Sequence, residues 1–166
     1  DGQNVIPVIS LVCNFTKPSA NQPALLTADE AETMFHEFGH ALHSLFRDVH
    51  YYGIGGVPRD FVELPSQINE HWVFEPEMLK QYAKHYQTGE VMPTELVEKL
   101  DKSGKYGQGF ATVEYVAASL LDMDFHVLKE IPEELDVMKF EEEILGERGL
   151  LKQIPSRYRT TYFNHT

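Results

Sequence analysis

The stretch from Thr27 to Glu30 constrains the fold more than any other part of the sequence, because it has the pattern of a helix start. The Thr27 hydroxyl can accept a hydrogen bond from the backbone three residues later, and the Glu30 carboxylate can bond back to the Thr27 backbone, which is a capping box. Asp29 and Glu30 also place negative charge in the first turn, where the helix dipole favours it. A helix is therefore predicted to begin at Thr27.

Apolar residues recur at helical spacing after this start and predict that one face of the helix packs in the core. These residues are Ala31, Met34, Phe35, Phe38, Leu42 and Leu45. His36 and His40 fall on a different face and are not expected to be core residues. Gly39 costs about 1 kcal/mol relative to alanine in the middle of a helix, which predicts that another backbone or a substrate approaches closely there.

The segment His36-Glu37-Phe38-Gly39-His40 has the arrangement that a catalytic zinc ion requires. Two histidines four residues apart project from one face of a helix, one above the other, so both can reach a single ion. Glu37 lies beside the first histidine, where its carboxylate can take a proton from a metal-bound water molecule. The pattern predicts one Zn²⁺ per chain, held by His36 and His40, with Glu37 as the general base of a zinc peptidase.

A third ligand is needed, because catalytic zinc ions usually take three protein ligands and one water molecule. Phe46 occupies the position where a metzincin has its third histidine, so that subclass is excluded. The remaining option is an acidic residue on a second helix. Glu63 and Glu70 are both candidates, since they lie seven residues apart and fall on roughly the same helical face. The residues alone do not separate the two.

The second helix is predicted to begin near Phe61, with Asp60 as its N-cap and Pro65 close to its first turn. A zinc-bound histidine usually donates its other ring N–H to a carboxylate or a carbonyl, which determines its tautomer. Glu32, one turn before His36, and Asp60 are the predicted partners of this kind.

Four stretches of the sequence together carry a family resemblance. They are His-Glu-Phe-Gly-His-Ala-Leu-His at 36–43, Pro-Arg-Asp-Phe-Val-Glu-Leu-Pro-Ser-Gln-Ile-Asn-Glu-His-Trp at 58–72, Val-Cys-Asn-Phe at 12–15 with Lys-Pro at 17–18, and Ile-Pro-Ser-Arg-Tyr-Arg-Thr-Thr-Tyr-Phe-Asn-His at 154–165. In these stretches the chain resembles the thimet oligopeptidase family of zinc peptidases, most closely its bacterial peptidyl-dipeptidase branch.

The resemblance implies a set of site residues and an activity. His36, His40 and Glu63 match the zinc ligands of the family. Glu37 matches its general base, and His165 matches a catalytic histidine that contacts substrate near the scissile bond. The implied activity is hydrolysis of short peptides with release of C-terminal dipeptides. The alternative is an oligopeptidase that cuts internal bonds of short peptides.

The resemblance also implies that residues 1–166 are a partial catalytic domain, cut from a larger and mostly helical enzyme. In the family, the segment that matches the end of this chain is followed by a glycine-rich loop, whose tyrosines bind substrate and stabilise the oxyanion. The sequence ends at Thr166, before any such loop. Because removing one oxyanion donor lowers kcat about 100- to 1000-fold, the chain is expected to bind zinc and to be weakly active or inactive.

The rest of the sequence predicts a mainly α fold with a short β segment near the N-terminus, and the resemblance implies that the helices form a zincin-like catalytic region. The apolar stretch Val5 to Asn14 is predicted to be a strand. Apolar periodicity and helix-start residues predict helices over Glu75–Tyr86, Thr94–Tyr106, Phe110–Lys129 and Val137–Leu145.

Charge and cysteine content narrow the possible partners. The net charge of −12 at pH 7 argues against nucleic acid or an anionic membrane, because both require clustered lysine and arginine. Short peptides and cations are the expected ligands. The single cysteine, Cys13, excludes an intrachain disulfide and favours a cytoplasmic location. A hypothesis of another class, a non-catalytic helical interaction module, predicts that no zinc is bound. The oligomeric state does not follow from the sequence.

Overall fold

The computed structural model describes residues 6–51, 53–130 and 132–165, without the side chains of residues 163–165. The chain divides into two compact units, Asp1–Asp101 and Lys102–Thr166, here called the N-terminal and C-terminal units. Six α-helices and one short 3₁₀ helix lie in the described part. In chain order they are α1 (Ala28–Leu45), α2 (Glu63–Glu70), α3 (Pro76–Tyr82), α4 (Thr94–Gly104), α5 (Gln108–His126), α6 (Val137–Glu147) and the 3₁₀ helix Thr160–His165. The prediction of a mainly α fold is confirmed.

The predicted strand near the N-terminus is not formed in the part of it that the structure describes. Residues 6–14 have no regular secondary structure, and Val5 lies outside the described residues. A strand requires hydrogen bonds to a neighbouring strand, and the only β pairing among the described residues is an isolated bridge between Lys84 and Val91. An alternating apolar pattern without a partner leaves side chains in solvent, as Val8 shows at 94% exposure.

The start of α1 has the predicted capping box. Glu30 N donates to the Thr27 hydroxyl at 3.2 Å, and Thr27 N donates to Glu30 Oε2 at 2.9 Å. The other oxygen of the same carboxylate accepts bonds from the Thr16 backbone at 2.7 Å and from the Thr16 hydroxyl at 2.8 Å. The bonds from Thr27 and Thr16 favour the ionised form and lower the pKa of Glu30 to about 2. Glu30 therefore both caps α1 and ties the upstream segment to it.

The α1 helix packs against α2 through its glycine rather than through its apolar stripe. The buried residues of α1 are Gly39 and Ala41. Met34, Phe38 and Leu45 of the predicted core stripe are 42%, 46% and 43% exposed, so their assignment to the core is wrong. The close contact at Gly39 places α2 against the face of α1 that carries the histidines.

The α2 helix starts two residues later than predicted. Turns with hydrogen bonds from Phe61 N to the Pro58 carbonyl and from Leu64 N to the Phe61 carbonyl, each at 3.0 Å, lead into a helix that begins at Glu63. Val62 takes the N-cap position with helical backbone angles and no side-chain cap. The prediction that Asp60 caps this helix is wrong, because the intervening turns separate it from the first helical residue.

In the C-terminal unit, α5 and α6 pack through aromatic and charged contacts. The rings of Phe125 and Phe140 lie 4.6 Å apart, and Arg148 donates two bonds to Asp124, at 2.8 and 2.7 Å. These bonds lower the pKa of Asp124. Asp136 caps α6 by accepting bonds from two backbone N–H groups at 3.1 Å each. None of the described helices is long and apolar enough to cross a membrane.

A buried carboxylate holds the 3₁₀ helix to α6 within the same unit. Glu141 is 4% exposed, and its Oε1 lies 2.7 Å from Arg159 Nε, although that N–H is not directed at the oxygen. Glu141 Oε2 accepts bonds from the backbone and the hydroxyl of Thr160, each at 3.3 Å. The start of the helix that ends at His165 is therefore tied to α6.

Alanine at position 39 tests the packing of α1 against α2. A Cβ there would lie 2.5 Å from Ser66 Cα and 2.7 Å from the Pro65 carbonyl oxygen, both backbone atoms that cannot move without separating the helices. Overpacking costs about 1–3 kcal/mol, which exceeds the gain of about 1 kcal/mol in helix propensity. Gly39→Ala is expected to lower the free energy of unfolding in urea by up to about 2 kcal/mol.

Gly109→Ala is the matched control, since a Cβ at this position in α5 meets nothing within 4 Å. It is expected to be neutral or to stabilise the protein by up to about 1 kcal/mol. Equal effects of the two substitutions would contradict a tight contact at Gly39.

Candidate metal centre

Helix α1 brings His36 and His40 side by side. The two rings are four residues apart, so they lie on one face, with centroids 4.9 Å apart and planes at 84°. The side chains are 25% and 29% exposed, so both imidazoles lie at a half-buried surface that solvent can reach. The predicted pairing of the histidines is formed.

Glu63, in the first turn of α2, lies between the two histidines. Its Oε2 is 3.2 Å from His36 Nε2 and 3.2 Å from His40 Nε2. Ligand atoms about 2.0–2.2 Å from a tetrahedral zinc ion lie about 3.3 Å from one another. One carboxylate oxygen and two imidazole nitrogens, all within 4.8 Å of one another, therefore fit the donor set and spacing of a zinc site.

Glu70 contacts the opposite edge of the His36 ring. Its Oε1 lies 2.5 Å from His36 Nδ1, which leaves Nε2 facing Glu63. The sequence did not distinguish Glu63 from Glu70 as a candidate ligand. In the structure each of them approaches a different nitrogen of the His36 ring. A carboxylate that contacts Nδ1 orients the ring and makes Nε2 more basic, which strengthens it as a metal ligand.

The predicted partners of the histidine N–H groups are wrong for His36, whose Nδ1 contacts Glu70 rather than Glu32 or Asp60. Glu32 lies close enough for its charge to interact with the site. Its pKa is raised, first by partial burial and then by the negative charges of Glu70 and Asp29, against a smaller opposite effect of His36. The sequence signal for Glu70 was its seven-residue spacing from Glu63, which was interpreted only as a competing ligand.

Two polar residues of α2 lie between the glutamates, and one of them, Asn69, bonds to α1. Asn69 Nδ2 donates to the Phe35 carbonyl oxygen at 2.6 Å. Ser66 is fully buried, and its Oγ lies 2.8 Å from Glu63 Oε2 and 2.9 Å from the Glu63 carbonyl oxygen. The site is therefore built on the face of α2 that packs against the glycine of α1.

Glu37 and His165 are the two predicted catalytic residues. Glu37 follows His36 on α1 with a half-buried side chain, and its role as a base stays a prediction. His165 ends the 3₁₀ helix of the C-terminal unit, and its side chain lies outside the described residues. His43 packs edge-on against Phe61, with ring centroids 6.1 Å apart.

The sequence matches a known protein family along its whole length. The sequence model of peptidase family M3 matches residues 1–166. The chain belongs to peptidase family M3. Members of this family are in general zinc metallopeptidases, so the resemblance found in the sequence is confirmed.

Named relatives include dipeptidyl carboxypeptidases and oligopeptidases. The chain is 48% identical over 162 residues to dipeptidyl carboxypeptidase of Escherichia coli and 47% identical over 162 residues to that of Salmonella typhimurium, covering 96% of this chain in each case. It is 43% identical over 129 residues to oligopeptidase A of Escherichia coli, covering 76% of this chain and 19% of that protein. The chain spans 24% of the length of the two dipeptidyl carboxypeptidases.

Replacing Glu70 tests the contact at Nδ1 of His36. Glu70→Ala removes the carboxylate that orients the ring, and loss of such a partner typically lowers metal affinity about 10- to 100-fold. The expected result is a zinc dissociation constant higher by that factor, measured by competition with a chromophoric chelator. Glu77→Ala, which removes an exposed glutamate paired with Lys80, is the control and is expected to leave the affinity unchanged. Equal affinities for both variants would show that Glu70 does not support the site.

Proposed function

We propose that this chain carries the zinc centre of a peptidase, with His36, His40 and Glu63 as the ligands of one Zn²⁺. The observation that carries the proposal is the position of Glu63 Oε2, 3.2 Å from the Nε2 atom of each histidine. The ligand set of two histidines and one glutamate is typical of catalytic rather than structural zinc, because it leaves a fourth position for water. Residues 1–166 are then a part of the catalytic domain.

When bound, a zinc ion lowers the pKa of a coordinated water molecule to about 7 and polarises the scissile carbonyl. The Glu37 carboxylate is proposed to accept the proton of the attacking water molecule and then to donate it to the leaving amine nitrogen. Glu70 keeps the His36 ring oriented throughout, since its carboxylate contacts Nδ1 and not the nitrogen that faces Glu63. His165 is proposed as a further catalytic residue that contacts the substrate near the scissile bond.

The proposed substrates are short peptides, from which C-terminal dipeptides are released. Support comes from the relatives called dipeptidyl carboxypeptidase, which match 96% of this chain, and from the net charge of −12, which does not favour nucleic acid or anionic membranes. The second candidate is cleavage of internal bonds, supported by the relatives called oligopeptidase A. A cytoplasmic location is proposed because the single cysteine requires no oxidising compartment.

Metal analysis of the purified chain tests the ligand assignment. About one equivalent of zinc per chain is expected for a site with three ligands and one water. Glu63→Ala is expected to lose most of the bound zinc, whereas Glu37→Gln is expected to keep it, because only the first removes a ligand. Absence of zinc from the folded protein after addition of the metal would contradict the proposal and favour a non-catalytic helical module. In an intact enzyme that contains this chain, Glu37→Gln is expected to lower kcat/KM about 100- to 10 000-fold.

The two candidate cleavage modes differ in how they use the C-terminus of the substrate. A peptidyl-dipeptidase recognises the free carboxylate, so amidation of the peptide is expected to abolish most of the cleavage. The measurement is mass spectrometry of the products that an intact enzyme containing this chain makes from a matched pair of peptides, one with a free and one with an amidated C-terminus. Equal cleavage of both peptides at internal bonds would instead support the oligopeptidase.

A further inference from the structure

A buried serine lies beside the third ligand and has no assigned role. Ser66 is fully buried on the face of α2 that packs against α1. Its Oγ lies 2.8 Å from Glu63 Oε2, the same oxygen that lies 3.2 Å from the Nε2 atoms of His36 and His40. The hydroxyl therefore contacts the atom on which the site depends.

We propose that Ser66 is a positioning residue, whose hydroxyl holds the Glu63 carboxylate in the orientation that faces the two histidines. This inference rests on the proposed zinc centre. The Glu63 side chain is 50% exposed, so little packing restrains it, and a glutamate side chain loses considerable rotamer freedom when it is held in place. A hydrogen bond from a buried and immobile donor restricts that freedom before any metal binds.

The backbone around Ser66 explains why its hydroxyl is a rigid donor. Ser66 Cα would lie 2.5 Å from a Cβ at Gly39, so the α1 backbone packs directly on this residue. Its side chain cannot turn to solvent, and its single hydroxyl hydrogen has two nearby acceptors, the Glu63 carboxylate at 2.8 Å and the Glu63 carbonyl oxygen at 2.9 Å. Either bond keeps the serine in contact with the first turn of α2, and the first one orients the ligand itself.

Zinc affinity of the folded chain tests the inference. Ser66→Ala removes only the hydroxyl and keeps the Cβ beneath Gly39, so the helix contact is retained. The dissociation constant for zinc, measured against a chromophoric chelator, is expected to rise about 10- to 100-fold, as for other groups that orient metal ligands. Ser156→Ala is the matched control, because Ser156 is also buried but its hydroxyl donates to the Tyr158 carbonyl in the C-terminal unit. This variant is expected to leave the affinity unchanged.

A double-mutant cycle separates positioning from a general structural role. If Ser66 acts through Glu63, Ser66→Ala has no further effect on the weaker zinc binding that the two histidines retain in a Glu63→Ala protein. A structural role predicts the same loss of affinity in both backgrounds, and that result would overturn the inference. Unchanged affinity of Ser66→Ala alone would also overturn it, while the proposed zinc centre would stand. If the parent chain binds no zinc, both the proposed function and this inference fail.

A pair of isosteric variants compares a hydroxyl with a methyl group at constant side-chain volume. Ser66→Thr and Ser66→Val add the same bulk at this buried position and differ only in the hydroxyl. The threonine variant is expected to bind zinc at least about 10-fold more tightly than the valine variant. Equal affinities of the two would contradict a role for the hydroxyl.

Discussion

The contact between the backbones of α1 and α2 at Gly39 and Ser66 is the constraint on which the rest of the candidate site depends. A Cβ at position 39 would lie 2.5 Å from Ser66 Cα. The two helices can therefore pack this closely only because residue 39 has no side chain. Residues within about one turn of this contact on either helix then lie close enough for their side chains to touch. The histidines of α1 meet the carboxylates of α2 because the glycine lets the two backbones come this close.

This interface is polar where a helix contact in a protein core is usually apolar, and its chemistry explains why. Glu63 Oε2 lies 3.2 Å from His36 Nε2 and 3.2 Å from His40 Nε2. A carboxylate oxygen and imidazole nitrogens that present electron pairs at this distance repel one another unless a proton or a cation lies between them. Their arrangement therefore favours cation binding. The Phe38 residue is 46% exposed, because α1 contacts α2 through the face that carries the histidines.

The sequence predicted the elements whose causes are local and missed those that depend on partners. The capping box of Thr27 and Glu30 and the shared face of the histidines follow from short-range geometry, and the structure has both. The glycine at position 39 indicated a close neighbour but did not identify it as α2. The strand over residues 6–14 needed a neighbouring strand, which local pattern cannot reveal. Helix α2 likewise starts after a run of turns that its sequence does not distinguish from helix.

The roles of Glu63 and Glu70 depend on where α2 crosses α1, which is a property of neither sequence segment alone. Seven residues of helix rise about 10 Å, and the two nitrogens of an imidazole lie on opposite edges of its ring. One carboxylate of α2 can therefore contact Nε2 of His36 while the other contacts Nδ1. Exchanging the two roles would require α2 to slide by about two turns along α1. The contact of Ser66 with Gly39 prevents that shift, because no other residue of α1 in this region lacks a Cβ.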